Sequence, residues 1–206
     1  MPSADELKQQ GNAALAANDQ QAAHKCYSEA IALDPENHVL YSNRAAANAN
    51  MGQWADALSD SQRCIELAPD WPKGHVRAGA AHYALDQYAE SVAAYTRALE
   101  LSPSDKAVQT ALEDAKKGAA KKELEAQLMP AVMSFAQSKQ AGQLLLQKQD
   151  YAAAATEYRG ALKAMSDLME KLPAAEGGPM IAQLQQLKRS MEAELVAAVQ
   201  KQTSQA

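Results

Sequence analysis

Apolar and small residues along the first hundred positions recur at steps of three and four, as one face of a helix requires, and no sustained alternation of period two appears. The pattern also repeats on a longer scale. Small residues stand at Gly11, Ala45 and Gly79, and again at Ala23, Ala57 and Ser91. Ala30, Cys64 and Ala98 follow, then Ile31, Ile65 and Leu99, then Leu33, Leu67 and Leu101. Each register closes on Pro35, Pro69 or Pro103, and every step is 34 residues. The spacing predicts three hairpins, each of two helices of about 14 residues. Small residues twelve apart let the paired helices approach closely, and Tyr27 and Leu33 are expected to fill the space toward the next hairpin. Each proline ends one hairpin and starts the next. A lone hairpin cannot bury its apolar face, so the three must stack.

Beyond Pro103 the repeat is lost. "SDKAVQTALEDAKKGAAKKELEAQ" reads as a helix opening on a Ser104 cap, with Val108 and Leu112 covering the last hairpin. "LMPAVMSF" (128–135) lies in an expected linker, 126–137. The hairpin spacings then return out of phase: Gly142 to Ala154 is twelve residues and Gly142 to Tyr158 sixteen, as for Gly11, Ala23 and Tyr27. Tyr151 matches Trp54 and Tyr88 in the turn. After "PAAEGGP" comes a further helix, "MIAQLQQLKRSMEAELVAAVQ", and "KQTSQA" reads as a frayed tail. The expected fold is therefore all-α. Hairpins occupy about 4–37, 38–71 and 72–105, a capping helix 104–125, and a smaller helical hairpin or three-helix unit 138–202.

Charge changes the picture on one face. In a stack of hairpins the first helices line one groove. Lys8 and Asn12 are four apart on one helix and Lys73 and Arg77 four apart on another, so each pair shares a face. Asn43 precedes Arg77 by 34 residues and takes the same repeat position. Ala46, Ala49 and Ala80 leave room between them for a ligand backbone. Residues 1–104 hold seven Lys and Arg against thirteen Asp and Glu, yet three of the seven cations fall in this five-residue set. Donors gathered on an acidic domain suit an anionic ligand, most simply one with two close carboxylates. Asn43, a poor helix former, is explained as a neutral donor there.

Three repeats with the small–aromatic–proline pattern resemble the tetratricopeptide repeat (TPR). The stretches "LKQQGN", "CYSEAIALDPENHVLYSNRAAA" and "PDWPKGHVR" further resemble the first TPR domain of the heat-shock organising protein (stress-inducible phosphoprotein) family. The resemblance implies a co-chaperone adaptor binding the C-terminal Glu-Glu-Val-Asp tails of 70- and 90-kilodalton heat-shock chaperones. The family's clamp residues match Lys8, Asn12, Asn43, Lys73 and Arg77. By resemblance, Lys8, Asn12 and Asn43 hold the terminal carboxylate, while Lys73 and Arg77 take the last Asp side chain and backbone carbonyls. Val76 and Tyr83 are candidates for an apolar subsite or for core packing. The alternative is a TPR scaffold that binds an internal peptide or a folded partner without the clamp. The resemblance fades after Ser104, where neither an Asp-Pro-rich segment nor a second full array appears. The C-terminal unit is somewhat similar to a microtubule-interacting and trafficking domain, and its last helix offers a route to homo-oligomers.

Other classes are disfavoured. A net charge of −5 argues against non-specific nucleic-acid or anionic-membrane binding. No apolar run nears the roughly 18 residues of a membrane span, and the polar start "MPSADELKQQ" reads as no signal peptide. Catalytic residues, metal and cofactors are all expected to be absent. His24, His38, His75 and His82 lack ligand spacing, and neither a phosphate loop nor a nucleophile motif is present. Cys26 and Cys64 are expected to be reduced, buried thiols of a cytoplasmic chain.

Overall fold

The computed structural model describes residues 1–170, 172 and 179–204, and among these every regular element is an α-helix. In order they are α1 (Ala4–Ala16), α2 (Gln20–Leu33), α3 (His38–Asn50), α4 (Trp54–Leu67), α5 (Pro72–Ala84), α6 (Tyr88–Leu101), α7 (Lys106–Gln147), α8 (Tyr151–Glu170) and α9 (Pro179–Ser204). The chain divides into two compact units, Met1–Ala119 and Ala120–Ala206.

In the first unit α1 pairs with α2, α3 with α4 and α5 with α6, while α3 also touches both α1 and α5. Local chemistry fixes the ends. Ser3 and Glu6 form a reciprocal capping box on α1. Pro72 opens α5, where its missing N–H costs nothing. Each hairpin turns on one left-handed residue: Asn18 (φ 59°), Gly52 (φ 75°) and Asp86 (φ 56°). Behind it the next N–H bonds back five residues, Asp19 to Ala14, Gln53 to Asn48 and Gln87 to His82, at 2.8–2.9 Å.

Glycine sets the helix spacing in the outer hairpins. A Cβ on Gly11 would lie 2.6 Å from the Tyr27 ring, and one on Gly79 2.7 Å from Tyr95. Tyr27 thus fills its own hairpin as well as packing with Leu40 and Ala47 of the next. Leu33, expected to do the same, is 58% exposed; it ends α2 and points off the apolar stripe. Val108, Leu112 and Ala115 of α7 cover Tyr95 and Ala98. Asp105 caps α7 in place of Ser104, accepting from the N–H groups of Ala107 and Val108.

The expected linker 126–137 is helical throughout, inside α7, with Pro130 in its interior. Its apolar residues explain why: Leu128, Ala131, Val132 and Phe135 recur at three- and four-residue steps. Leu128 and Phe135 are buried, and the two between them pack on the second unit's core. That core joins Ala154, Ala155, Tyr158 and Met165 of α8 to Leu184, Met191 and Ala198 of α9. Most of the break "PAAEGGP", residues 173–178, lies outside the described residues. The tail expected to fray is helical through Ser204, and residues 205 and 206 lie outside the description. Both cysteines are free thiols, but only Cys64 is buried; Cys26 is half-buried.

Candidate functional site

The side-by-side packing of α1, α3 and α5 presents their free faces as one surface. Asn12 and Asn43 meet directly, the Asn43 Nδ2 donating to Asn12 Oδ1 at 3.2 Å. The same oxygen accepts the Tyr27 hydroxyl at 2.8 Å. With its carbonyl engaged twice, Asn12 keeps its amide N–H groups for other acceptors. Burial raises the Tyr27 pKa to about 12, so the hydroxyl keeps the proton it donates. Sequence reasoning read Tyr27 as packing alone. The signal for its second role was the sixteen-residue step from Gly11 to Tyr27, which brings the ring across the helix that carries Asn12.

Lys8, one turn before Asn12, is ion-paired with Asp5 at 2.5 Å. Asp5 is largely exposed, and such an i,i+3 pair is worth only about 0–1 kcal/mol. Lys8 is thus held by a weak partner.

Lys73 and Arg77 stand one turn apart on α5 and form no ion pair among the described residues. The Lys73 ammonium lies 5.8 Å from the Trp71 ring centroid. Trp71 is in turn braced edge-on by His38 at the start of α3, with centroids 4.7 Å apart. Arg77 is open to solvent, yet surrounding protein strips enough water from its guanidinium to lower its pKa. The group stays charged at neutral pH, because arginine does not deprotonate in proteins.

The two apolar candidates separate. Tyr83 is 41% exposed and stacks edge-on with Tyr88, centroids 5.3 Å apart. Val76 is half-buried and packs against the Tyr95–Val108–Leu112 cluster. Arg44 points into the hairpin instead of the groove. Its guanidinium is bidentate to Asp60 at 2.6 and 2.9 Å and reaches Ser28 at 3.1 Å. No described helix is long and apolar enough to cross a membrane. No group of three metal-ligating side chains gathers among the described residues.

Stacked hairpins of this length, with glycine–tyrosine contacts and a left-handed turn residue at a constant step, define a TPR domain, and the chain belongs to the tetratricopeptide repeat family. The family profile described as "Tetratricopeptide repeat" matches residues 72–105. The chain is 50% identical over 117 residues to the Hsp70-Hsp90 organizing protein of Triticum aestivum, covering 57% of this chain and 20% of that protein. It spans about one fifth of the length of that protein and of the relatives from Dictyostelium discoideum and Saccharomyces cerevisiae. Among solved structures, the first TPR domain of human RPAP3 aligns with TM-score 0.57 at 33% identity, covering 58% of this chain and 94% of that one. The first TPR of Spaghetti (RPAP3), bound to the HSP90 peptide SRMEEVD, aligns with TM-score 0.56 at 32% identity, covering 57% and 96%.

Proposed function

We propose that the chain is a cytoplasmic co-chaperone adaptor that captures the C-terminal Glu-Glu-Val-Asp tail of 70- or 90-kilodalton heat-shock chaperones. The observation that carries this reading is the Asn12–Asn43 hydrogen bond between α1 and α3, with Lys8 one turn before Asn12 and with Lys73 and Arg77 one turn apart on the neighbouring α5. A solved neighbour of 32% identity binding a peptide that ends in these four residues supports it. Lys8, Asn12 and Asn43 receive the terminal α-carboxylate, with Asp5 displaced from Lys8. Lys73 and Arg77 receive the last Asp side chain and the peptide backbone. Tyr83 is the apolar surface offered to residues further upstream. The chain acts by holding a tail, and the proposal contains no catalytic step.

Selectivity follows from unpaired donors. An amidated or extended terminus leaves partly desolvated donors without an acceptor, which costs more than the bond is worth. A short tail binds with roughly micromolar affinity, about −8 kcal/mol, and more weakly as salt screens the charges. The test is a calorimetric titration with a peptide ending Glu-Glu-Val-Asp, as free acid and as amide. Tight binding of the acid alone is expected; equal affinities, or none, would overturn the assignment.

A further inference from the structure

The second unit contains a fourth hairpin of the same construction. Gln149 is left-handed (φ 64°), seven residues after Gly142, as Asn18 is after Gly11. The Asp150 N–H bonds back to Leu145 at 3.0 Å, the bond made at every turn of the first unit. Asp150 caps α8 through Ala153 as Asp19 caps α2 through Ala22. The Tyr158 ring lies against the backbone of Gly142, where a Cβ has no room.

Counting from the glycine, Lys139 takes the place of Lys8 and Gln143 that of Asn12. These two side chains converge on a carboxylate. Glu194 of α9 accepts from Gln143 Nε2 at 3.0 Å and from the Tyr158 hydroxyl at 2.5 Å. Lys139 Nζ lies 3.6 Å away and the Ser190 hydroxyl 3.4 Å. In hairpin one the tyrosine hydroxyl spends its proton on Asn12; in hairpin four it spends it on the carboxylate itself.

We propose that Lys139, Gln143 and Tyr158 form a second carboxylate-receiving site, which takes a single carboxylate group and is filled in this chain by the Glu194 side chain. The site is the first-hairpin half of the clamp, turned inward. One cation and two neutral donors on two helices share a single acceptor, so the glutamate ties α9 to α7 and α8. Gln143 also borders an open hollow along α7 lined by Gln137, Gln140, Leu144 and Gln147. In the native chain the site is closed to outside ligands because the tethered glutamate is always at hand.

The test is anion rescue in the full chain. Both tryptophans, Trp54 and Trp71, lie in the first unit, so a melting transition seen by far-ultraviolet circular dichroism and silent in tryptophan fluorescence reports the second. Glu194→Ala should lower that transition by about 5 °C, a typical shift for a unit of this size. Sodium acetate at about 0.1 M, against sodium chloride at equal ionic strength, should restore at least half of the loss. It should leave the wild type, and the variant that also carries Lys139→Met, unmoved. Equal shifts in wild type and variant, no rescue, or an undisturbed transition in Glu194→Ala would each overturn the proposal. Should Glu194→Ala not fold, Glu194→Gln keeps the volume and carries the test in a double-mutant cycle with Lys139→Met: coupled losses support the site, and additive losses overturn it.

Discussion

The central hairpin and its two neighbours place their charges in opposite ways. Hairpins one and three are packed inside by glycine against tyrosine, Gly11 with Tyr27 and Gly79 with Tyr95, and they carry the groove's cations outside. Hairpin two has no such pair. Ala45 and Ser61 stand at those positions, and the interior is keyed by Arg44, Asp60 and Asn48, while its groove face offers the neutral Asn43. A buried ion pair is poor evidence of net stability, but it fixes register, because neither charge tolerates losing the other. We read the arrangement as a division of labour: the centre aligns α3 with its neighbours, and the flanks supply the binding charges.

Breaking the central key has the largest expected effect. Asp60→Ala leaves the Arg44 guanidinium, with only 22% of its side chain exposed, without its carboxylate. It also removes the acceptor of Asn48 Nδ2, whose partner atom Oδ1 already lacks a donor. The cost should be about 3–5 kcal/mol, read from urea unfolding followed by tryptophan fluorescence. Replacing Arg44, Asp60 and Asn48 together by Met, Leu and Leu should recover most of that loss, because no buried polar group is then left unpaired.

Removing a flank's charge should do the reverse, sparing the fold and weakening binding. Arg77→Ala deletes a partly desolvated guanidinium that has no ion-pair partner among the described residues. Losing charge-assisted bonds worth about 1.5–3 kcal/mol lowers affinity for the free-acid peptide about 10- to 100-fold. Unfolding midpoints should stay within error. A variant that melts instead would make Arg77 structural and merge the two roles.

The glycine flanks are themselves unequal. Gly11→Ala puts a Cβ 2.6 Å from the fully buried Tyr27 ring, an overpacking cost of about 1–3 kcal/mol. Better helix propensity offsets this by about 1 kcal/mol. Because Tyr27 also orients Asn12, peptide affinity should fall with stability. Gly79→Ala meets Tyr95 at 2.7 Å, but Tyr95 carries no hydrogen bond to a clamp residue, so stability alone should fall. Parallel unfolding and titration of both variants separates packing from positioning.

Much of this was legible because repetition compares the chain with itself. A 34-residue step fixed hairpin boundaries, and a polar residue where the repeat asks for nothing polar, as at Asn43, stood out as a candidate for binding. What stayed hidden was what a side chain does twice or against its type. Tyr27 packs and donates, and periodicity registers only the packing. The segment 126–137, expected as a linker, is helical, as the steps from Leu128 to Phe135 require. Glu194 was invisible as a ligand because its partners Lys139 and Gln143 lie about fifty residues earlier in the chain, at an offset that no repeat predicts.

The smallest effect comes from alkaline pH, and it dates the failure of each kind of hairpin. Burial raises the Cys64 thiol of the central hairpin from 9.0 to about 11 and the Tyr27 hydroxyl of a flank from 10.0 to about 12. In each case the folded group holds its proton longer than the unfolded one. Stability is therefore complete below the unfolded pKa and is lost as pH rises toward the folded value. The thiol begins to cost stability near pH 9 and the tyrosine near pH 10, so by pH 10 the first unit should have lost on the order of 1 kcal/mol, mostly through Cys64. Cys64→Ala should flatten the stability profile between pH 9 and 10 and leave the steeper fall above pH 10 in place. Tyr27→Phe should soften only that later fall. A profile with the two variants interchanged would mean that the central hairpin is not the first to yield.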